Sequence, residues 1–330
     1  MSTEPAATAR GKLTWDESSG GVDWHLELDR TILLPGQLVT GRLSIRPERR
    51  VEARGLVIAL TAVERWRHRE TRSDASGHTT TTVVTSRQDV THEPVQLRDT
   101  VALAAGETLA TDFELPVSPD GPATLQADDA GLDWTVEAKL DIADGFDSRI
   151  ERGVVVAQPT ALLRAGAVPM GEFALYESAD VAADGVTGSV ELRPMPLVCG
   201  MPFAGRVALH VPVGTRVRGV RGEIRVHVEA TVSNGENESI LAWSEDLGAG
   251  TGVATAAGAA AAGAAAAAGD RELSGDHSYA VSGMLPPRPL PTIELPHGRA
   301  SATFHVILDR PWALDTHLIR DITIAGTDEI

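Results

Sequence analysis

A row of arginines in the segment ERWRHRETR, residues 64–72, is the strongest candidate for binding chemistry in this sequence. If the segment is a strand, Arg65, Arg67 and Arg69 project from one face, because side chains alternate along a strand. Guanidinium groups bind carboxylates and phosphates through paired hydrogen bonds. The row therefore predicts a site for an acidic or phosphorylated segment of a protein partner. The alternative is a solvated sheet face in a chain whose only lysines are Lys12 and Lys139.

The side chains that usually carry out catalysis or bind metals form no recognisable motif. Cys199 lies in the apolar segment PLVCGMPF, with no histidine near it in sequence, which favours packing over nucleophilic chemistry. The histidines lack HExxH or HxH spacing. Three histidines could meet across a hairpin: His68, His78 and His92. Solvent exposure of these side chains is the simpler interpretation. The sequence predicts no catalytic residue, no cofactor site and no metal site.

Composition excludes several classes of partner. The 330 residues carry a net charge of −17 with a pI of about 5.0, which opposes nonspecific binding to nucleic acid or to anionic membranes. The start of the chain has no apolar segment like that of a signal peptide. A single cysteine fits a reducing compartment, so we expect a cytoplasmic protein. The longest charge-free run, residues 248–269, is nearly all Ala and Gly, which predicts a low-complexity loop and no membrane-spanning segment.

One pattern occurs twice in the chain, 164 residues apart. The segment GVDWHLELDRTILLPGQLVTGR begins at Gly21, and GVTGSVELRPMPLVCGMPFAGR begins at Gly185. Eight of the 22 aligned residues are identical, where composition alone gives about one or two. Similar pairs continue further along, such as FELP at 113–116 with IELP at 293–296. The chain is therefore predicted to be a tandem duplication.

Each copy of the repeat has the features of an antiparallel β-sandwich. Trp24, Leu26 and Leu28 lie on one face of a period-2 pattern. Turn signals separate such runs, for example SNGE at 233–236 and ADGF at 143–146. A glycine after the first strand marks a turn, and a second glycine within the next strand marks a bulge or a close backbone approach. These glycines are Gly36 and Gly41 in the first copy and Gly200 and Gly205 in the second.

The same patterns give predicted domain limits. We expect a flexible N-terminus at 1–11, a first sandwich at 12–160, and a second sandwich at 161–330 that contains the Ala/Gly loop. The linker lies near residues 157–173, which contain two prolines. Two long insertions are expected at comparable places in the two units: a polar hairpin around residues 70–88, and the Ala/Gly loop.

The segments LELDRTILLPGQLVTGRLSI, ARGLVIALTAVE, FELP and WTVEAKLDI together resemble the arrestin N-terminal domain. The second unit is similar to the arrestin C-terminal domain, and the opening pattern is most similar to that of bacterial sporulation-control proteins. The resemblance implies an all-β chain of two tandem immunoglobulin-like antiparallel sandwiches, each of seven strands. It also implies use as an adaptor or scaffold. The sequence has no lysine pair near its start, no clathrin-type box in its last residues and no PPxY motif, so no functional residue is transferred from other arrestins.

Three functions follow from these patterns, in order of preference. The first is a non-enzymatic intracellular adaptor that binds a protein partner through a sandwich edge or the groove between the two domains, with the regulatory role of sporulation-control proteins as one form of it. The second is a metal- or ligand-binding sandwich enzyme whose histidines are brought together by folding. Three His, Asp or Glu side chains within reach of one metal ion favour that second function. The third is an extracellular sandwich protein.

Deletion of residues 250–267 is expected to leave the melting temperature within a few degrees of the wild-type value. Ala and Gly side chains bury little apolar surface, so their ordering entropy is poorly offset by packing. Thermal denaturation followed by circular dichroism measures the change. A large drop in melting temperature would show that this segment packs against the second sandwich.

Overall fold

The computed structural model describes residues 13–30, 32–143, 145–157, 177–247 and 270–326. Strands and turns account for these ranges, and none of the described residues lies in an α-helix. No described segment forms a helix long and apolar enough to cross a bilayer. The predicted flexible N-terminus, almost all of the predicted linker and the Ala/Gly loop lie outside the described residues.

The described residues of the first unit form ten strands in two sheets. One sheet has the order β1-β2-β4-β8, and the other has the order β3-β10-β9-β5-β6, with β7 paired to β5. The strands are β1 Leu13–Ser19, β2 Val22–Leu28, β3 Ile32–Leu33, β4 Leu38–Pro47, β5 Val51–Ser73, β6 Thr79–Arg98, β7 Val101–Leu103, β8 Leu109–Pro116, β9 Ala130–Ile142 and β10 Ser148–Val156.

In its described part, the second unit repeats this topology with eleven strands. Its first sheet has the order β11-β12-β14-β17, while β16-β15-β19-β18, with β20 beside β19, forms the opposing sheet, and β13 pairs with β21. The strands are β11 Glu177–Ala183, β12 Val186–Arg193, β13 Leu197–Val198, β14 Pro202–Val217, β15 Gly219–Ala230, β16 Asn237–Asp246, β17 Arg271–Met284, β18 Ile293–Glu294, β19 Gly298–Asp309, β20 Thr316–Ile322 and β21 Ile324–Ala325.

The two units are thus tandem antiparallel β-sandwiches, as the sequence predicts. Strand by strand, β1-β2-β4-β8 corresponds to β11-β12-β14-β17, and a short parallel pair occurs in each unit, β3 with β10 and β13 with β21. The strand counts exceed the seven that the resemblance implies, partly because two- and three-residue strands flank the longer ladders. Alternate apolar residues of each strand fill the cores, including Trp24, Leu26 and Leu28.

The repeated glycines occupy equivalent positions in the two sandwiches. Gly36 and Gly200 have φ of +78° and +80°, a region that favours glycine. At Gly41 a Cβ atom would lie 2.3 Å from the carbonyl oxygen of Glu27, and at Gly205 it would lie 2.2 Å from that of Glu191. Neither ladder shifts register at these two positions, so close backbone approach, rather than a bulge, accounts for the absence of a side chain.

The two long insertions differ in place, which corrects the expectation that they are equivalent. The polar hairpin joins β5 to β6, and its turn at residues 74–78 is closed by the Asp74 amide, which donates to the His78 carbonyl at 2.9 Å. The Ala/Gly run instead falls between β16 and β17. Strands β5 and β6 have 23 and 20 residues, against 12 and 10 in β15 and β16. The longer hairpin carries residues 64–72 beyond the first core.

Candidate functional site

The arginine row lies on β5, and each guanidinium meets a carboxylate of this same chain. Arg65 Nε donates to Asp133 Oδ2 at 2.9 Å, and Arg67 Nη1 donates to Asp129 Oδ1 at 2.9 Å. Arg69 Nε donates to an oxygen of Glu236 at 2.5 Å. The row is therefore an ordered set of ion pairs in the isolated chain. Binding of an acidic partner at this row stays a prediction, and such a partner competes with these internal carboxylates.

Backbone contacts extend β5 from the first sandwich onto the second. The Arg69 amide donates to the Asn234 carbonyl at 2.9 Å, and the Glu236 amide donates to the Arg67 carbonyl at 3.0 Å. His68 forms an antiparallel bridge with Gly235. The SNGE turn between β15 and β16 thus acts as a docking point for β5. These contacts form one part of the interface between the two sandwiches, which we call the seam.

A buried carboxylate lies at the centre of the seam. Glu64 is 0% exposed and accepts hydrogen bonds from the backbone amide of His297 at 2.8 Å and from its Nδ1 at 3.0 Å. The His297 ring stacks on Trp66 with centroids 4.0 Å apart and planes 9° from parallel. Since an unpaired buried carboxylate is costly, His297 and Glu64 hold the two sandwiches together through complementary polar contacts.

A third group of seam contacts involves the loop that precedes β9. Glu238 of the second sandwich accepts from the amides of Asp128 and Asp129, at 2.5 and 3.0 Å. The Gln126 amide donates to the Pro289 carbonyl at 2.9 Å. Burial raises the pKa of Asp129, and the carboxylate of Glu238 raises it further, while Arg67 opposes this shift. The seam is therefore dense in charge, and the arginine row neutralises several carboxylates there.

The sequence could not identify most of these seam residues. Glu64 and His297 are 233 positions apart, and Arg69 and Glu236 are 167 apart, so no local spacing connects them. The only signal was the arginine row itself, whose chemistry indicated a carboxylate ligand. The ligand turned out to include side chains of the second sandwich.

An open groove lies at one side of the first sandwich, where the edges of its two sheets meet. It has a volume of about 860 Å³ and is lined by β6 and β8, by the C-terminal end of β2 and by residues 40–42 of β4. Val95 and Leu97 of β6 are partly buried against the core there. Acidic side chains outnumber basic ones along the groove, with Glu27, Asp29, Asp112 and Glu114 against Arg42 and Arg98.

The cysteine and the histidines are not assembled into a reactive centre in the part of the chain that the structure covers. Cys199 is buried and its Sγ accepts from the Leu290 amide at 3.4 Å, and burial raises the pKa of its thiol. His68 faces Val84 across the hairpin, His78 lies at the turn, and His92 pairs with Thr61. Within the described ranges, no three His, Cys, Asp or Glu side chains lie close enough to share a metal ion.

His305 on the outer face of β19 gives the second sandwich a pH-sensitive position. Its Nε2 bonds to Thr303 Oγ1 at 2.9 Å, and the side chain is 7% exposed. Burial, together with the positive charge of Arg225, lowers the pKa of His305 to about 4. The folded chain therefore keeps this imidazole neutral at pH values where an unfolded chain protonates it, at about 6.5.

His305→Gln is expected to reduce the acid sensitivity of the protein. Because the folded pKa of His305 is below the unfolded value, its protonation favours unfolding. The resulting loss of unfolding free energy is absent well above pH 6.5 and increases as the pH falls to about 4. From pH 7 to pH 5 the wild type should lose about 2 kcal/mol more of its unfolding free energy than the variant does. Urea titrations at both pH values measure this difference, with His78→Gln at the exposed turn as the control. Equal losses in wild type and His305→Gln would contradict the assignment.

The residues that match a known family model coincide with the first sandwich. Residues 23–162 match the family model described as arrestin (or S-antigen), N-terminal domain. This match supports an arrestin-like fold for the first sandwich. Arrestin-like domains are generally non-enzymatic and generally bind proteins, which is consistent with an adaptor role. The chain matches none of the curated proteins.

Proposed function

We propose that this arrestin-like chain is a non-enzymatic adaptor of the cytoplasm that binds a protein partner at the edge of its first sandwich. The resemblance to bacterial sporulation-control proteins favours a regulatory role. The observation that carries the proposal is the groove between β6 and β8, two strands that each end their own sheet. An edge strand has backbone amides and carbonyls available to an extended segment of a partner.

Contacts at the seam favour this edge over a groove between the domains. Glu64, Arg69 and Glu238 already engage groups on the opposite sandwich, so a partner at the seam must displace these internal bonds. In the groove between β6 and β8, Asp29 accepts from Thr40 and Arg42 pairs with Asp112, so these bonds lie within the first sandwich and a partner there leaves the seam intact. The acidic excess of this groove favours a partner segment that carries a basic residue.

The proposal is tested by capture of partners from the native cell on the immobilised full chain, followed by binding measurements with the purified partner. Glu114→Lys places a positive charge at the groove, and we expect it to weaken binding at least tenfold. Glu151→Lys is the matched control, because Glu151 is exposed on β10 of the same sandwich. Loss of binding in the triple variant Arg65→Glu, Arg67→Glu, Arg69→Glu, with an unchanged melting temperature and with no loss of binding in Glu114→Lys, would locate the partner at the arginine row instead.

A further inference from the structure

The distal half of β6 is an unprotected sheet edge. Strand β6 ends its sheet, and only β5 pairs with it along residues 79–89 in the described structure. Residues 79–85 read TTTTVVT, seven consecutive β-branched residues with no charge, proline or glycine. Six of them are exposed and Val84 is partly so. β-Branched residues favour the extended conformation, so this run is ready to accept another strand.

Two other edge segments of the first sandwich carry features that oppose pairing with a second copy of this chain. Further along β6 itself lie Asp89 and Pro94, and the ladder shifts register opposite Ala62 and Val63. Edge strand β8 contains Asp112 and Glu114. Charges, prolines and bulges are the usual protection of sheet edges. Their absence from residues 79–85 distinguishes this run from the rest of the same strand.

The hydrogen-bonding groups of alternate residues in this run point away from β5. The Arg67 amide donates to the Asp129 carbonyl and the Arg69 amide donates to the Asn234 carbonyl, both on the side of β5 opposite to β6. Thr85 and Val83 lie directly across from these two arginines. Since opposite residues of an antiparallel pair either both bond across the pair or both face away, Thr85 and Val83 present their amides and carbonyls to the free edge.

We propose that residues 79–85 pair antiparallel with the same run of a second copy of this chain, around a two-fold axis at Thr82. In this register Thr81 faces the partner copy's Val83, and Thr79 faces the partner copy's Thr85. Every opposed pair is uncharged, and about eight backbone hydrogen bonds form between the copies. The run is therefore complementary to itself. This interface goes beyond the adaptor proposal and does not depend on the groove, which lies at the other end of β6.

The net charge gives the dimer a characteristic salt dependence. Each copy carries −17, so the two copies repel one another at low ionic strength. Screening by salt reduces this repulsion, while hydrogen bonds between uncharged edges are little affected. Dimerisation of the full chain is therefore expected to strengthen as salt is added.

Sedimentation equilibrium of the full chain over a range of concentrations tests the proposal. We expect a monomer–dimer equilibrium, and at least a tenfold weaker dimer for Val83→Lys and for Val83→Pro. Proline at position 83 removes an amide that faces the free edge and leaves the ladder to β5 intact. Ala75→Lys is the control, because it adds the same charge in the hairpin turn outside the run. A wild type that stays monomeric up to about 100 μM, or a dimer that both Val83 variants leave unchanged, would overturn the proposal.

Disulfide formation tests the register. Two-fold pairing at Thr82 brings the two copies of that residue to a Cα separation of about 4.5 Å, within reach of a disulfide. Thr82→Cys should cross-link rapidly under mild oxidation, and Thr80→Cys should not, since Thr80 faces the partner copy's Val84. Cys199 is buried and does not compete. Equal cross-linking of the two variants, or faster cross-linking of Thr80→Cys, would overturn the two-fold register.

Discussion

Gly41→Ala is expected to destabilise the protein by about 3 kcal/mol, and Gly205→Ala by a similar amount. In each case the new Cβ would lie closer than 2.5 Å to a backbone carbonyl oxygen of the neighbouring strand, Glu27 or Glu191. Overpacking against backbone costs more than against a flexible side chain, because two paired strands must move apart. Chemical denaturation followed by tryptophan fluorescence gives the loss directly.

The control for these variants is Gly153→Ala. Gly153 also lies within a strand, β10, but a Cβ there would meet no atom within 4 Å. We expect a change of at most about 0.5 kcal/mol, since only the backbone entropy of the unfolded chain is altered. Equal stability of Gly41→Ala and Gly153→Ala would contradict the close approach of Gly41 to the Glu27 carbonyl. If only one of the two repeat glycines is sensitive, the sandwiches differ at this position.

His297→Ala is expected to lower the free energy of unfolding by about 3 kcal/mol. The substitution leaves the fully buried Glu64 carboxylate without its side-chain partner and removes the ring that stacks on Trp66. Urea denaturation measures the loss, and the fluorescence of Trp66 should change in the folded state. His78→Ala, at the exposed turn of the hairpin, is the matched histidine control.

A second variant separates the charge at the seam from simple loss of packing. If the unpaired charge causes the loss, Glu64→Gln should recover part of the stability in the His297→Ala background, because it removes that charge. No recovery would assign the effect to packing on Trp66. A loss below about 1 kcal/mol in His297→Ala itself would contradict a role of this pair in holding the sandwiches together.

The parts of the fold that follow local rules were predictable from the sequence. The period-2 pattern of Trp24, Leu26 and Leu28 places them in the core, and the SNGE signal forms the turn between β15 and β16. The ADGF signal falls in sequence between β9 and β10, which pair antiparallel. The 164-residue repeat predicts the doubled strand order. These features depend on residues within one strand or one hairpin, where spacing along the chain reports on geometry.

The seam was not predictable in the same way. The contacts of Glu64 with His297 and of Arg69 with Glu236 depend on how two separate sandwiches meet. The hydrophobic pattern within either sandwich carries no information about that arrangement. The arginine row identified the right chemistry but suggested an external ligand. The arginine row meets internal carboxylates because β5 is long enough to carry it past the first core and onto the second sandwich.

Hydrogen–deuterium exchange on the complex with the captured partner tests the adaptor account most directly. The account predicts that binding slows exchange at the amides of the groove, in residues 95–98 of β6 and 109–114 of β8, and leaves β10 unchanged. Protection confined to residues 65–69 and their carboxylate partners, with the groove amides unaffected, would contradict it.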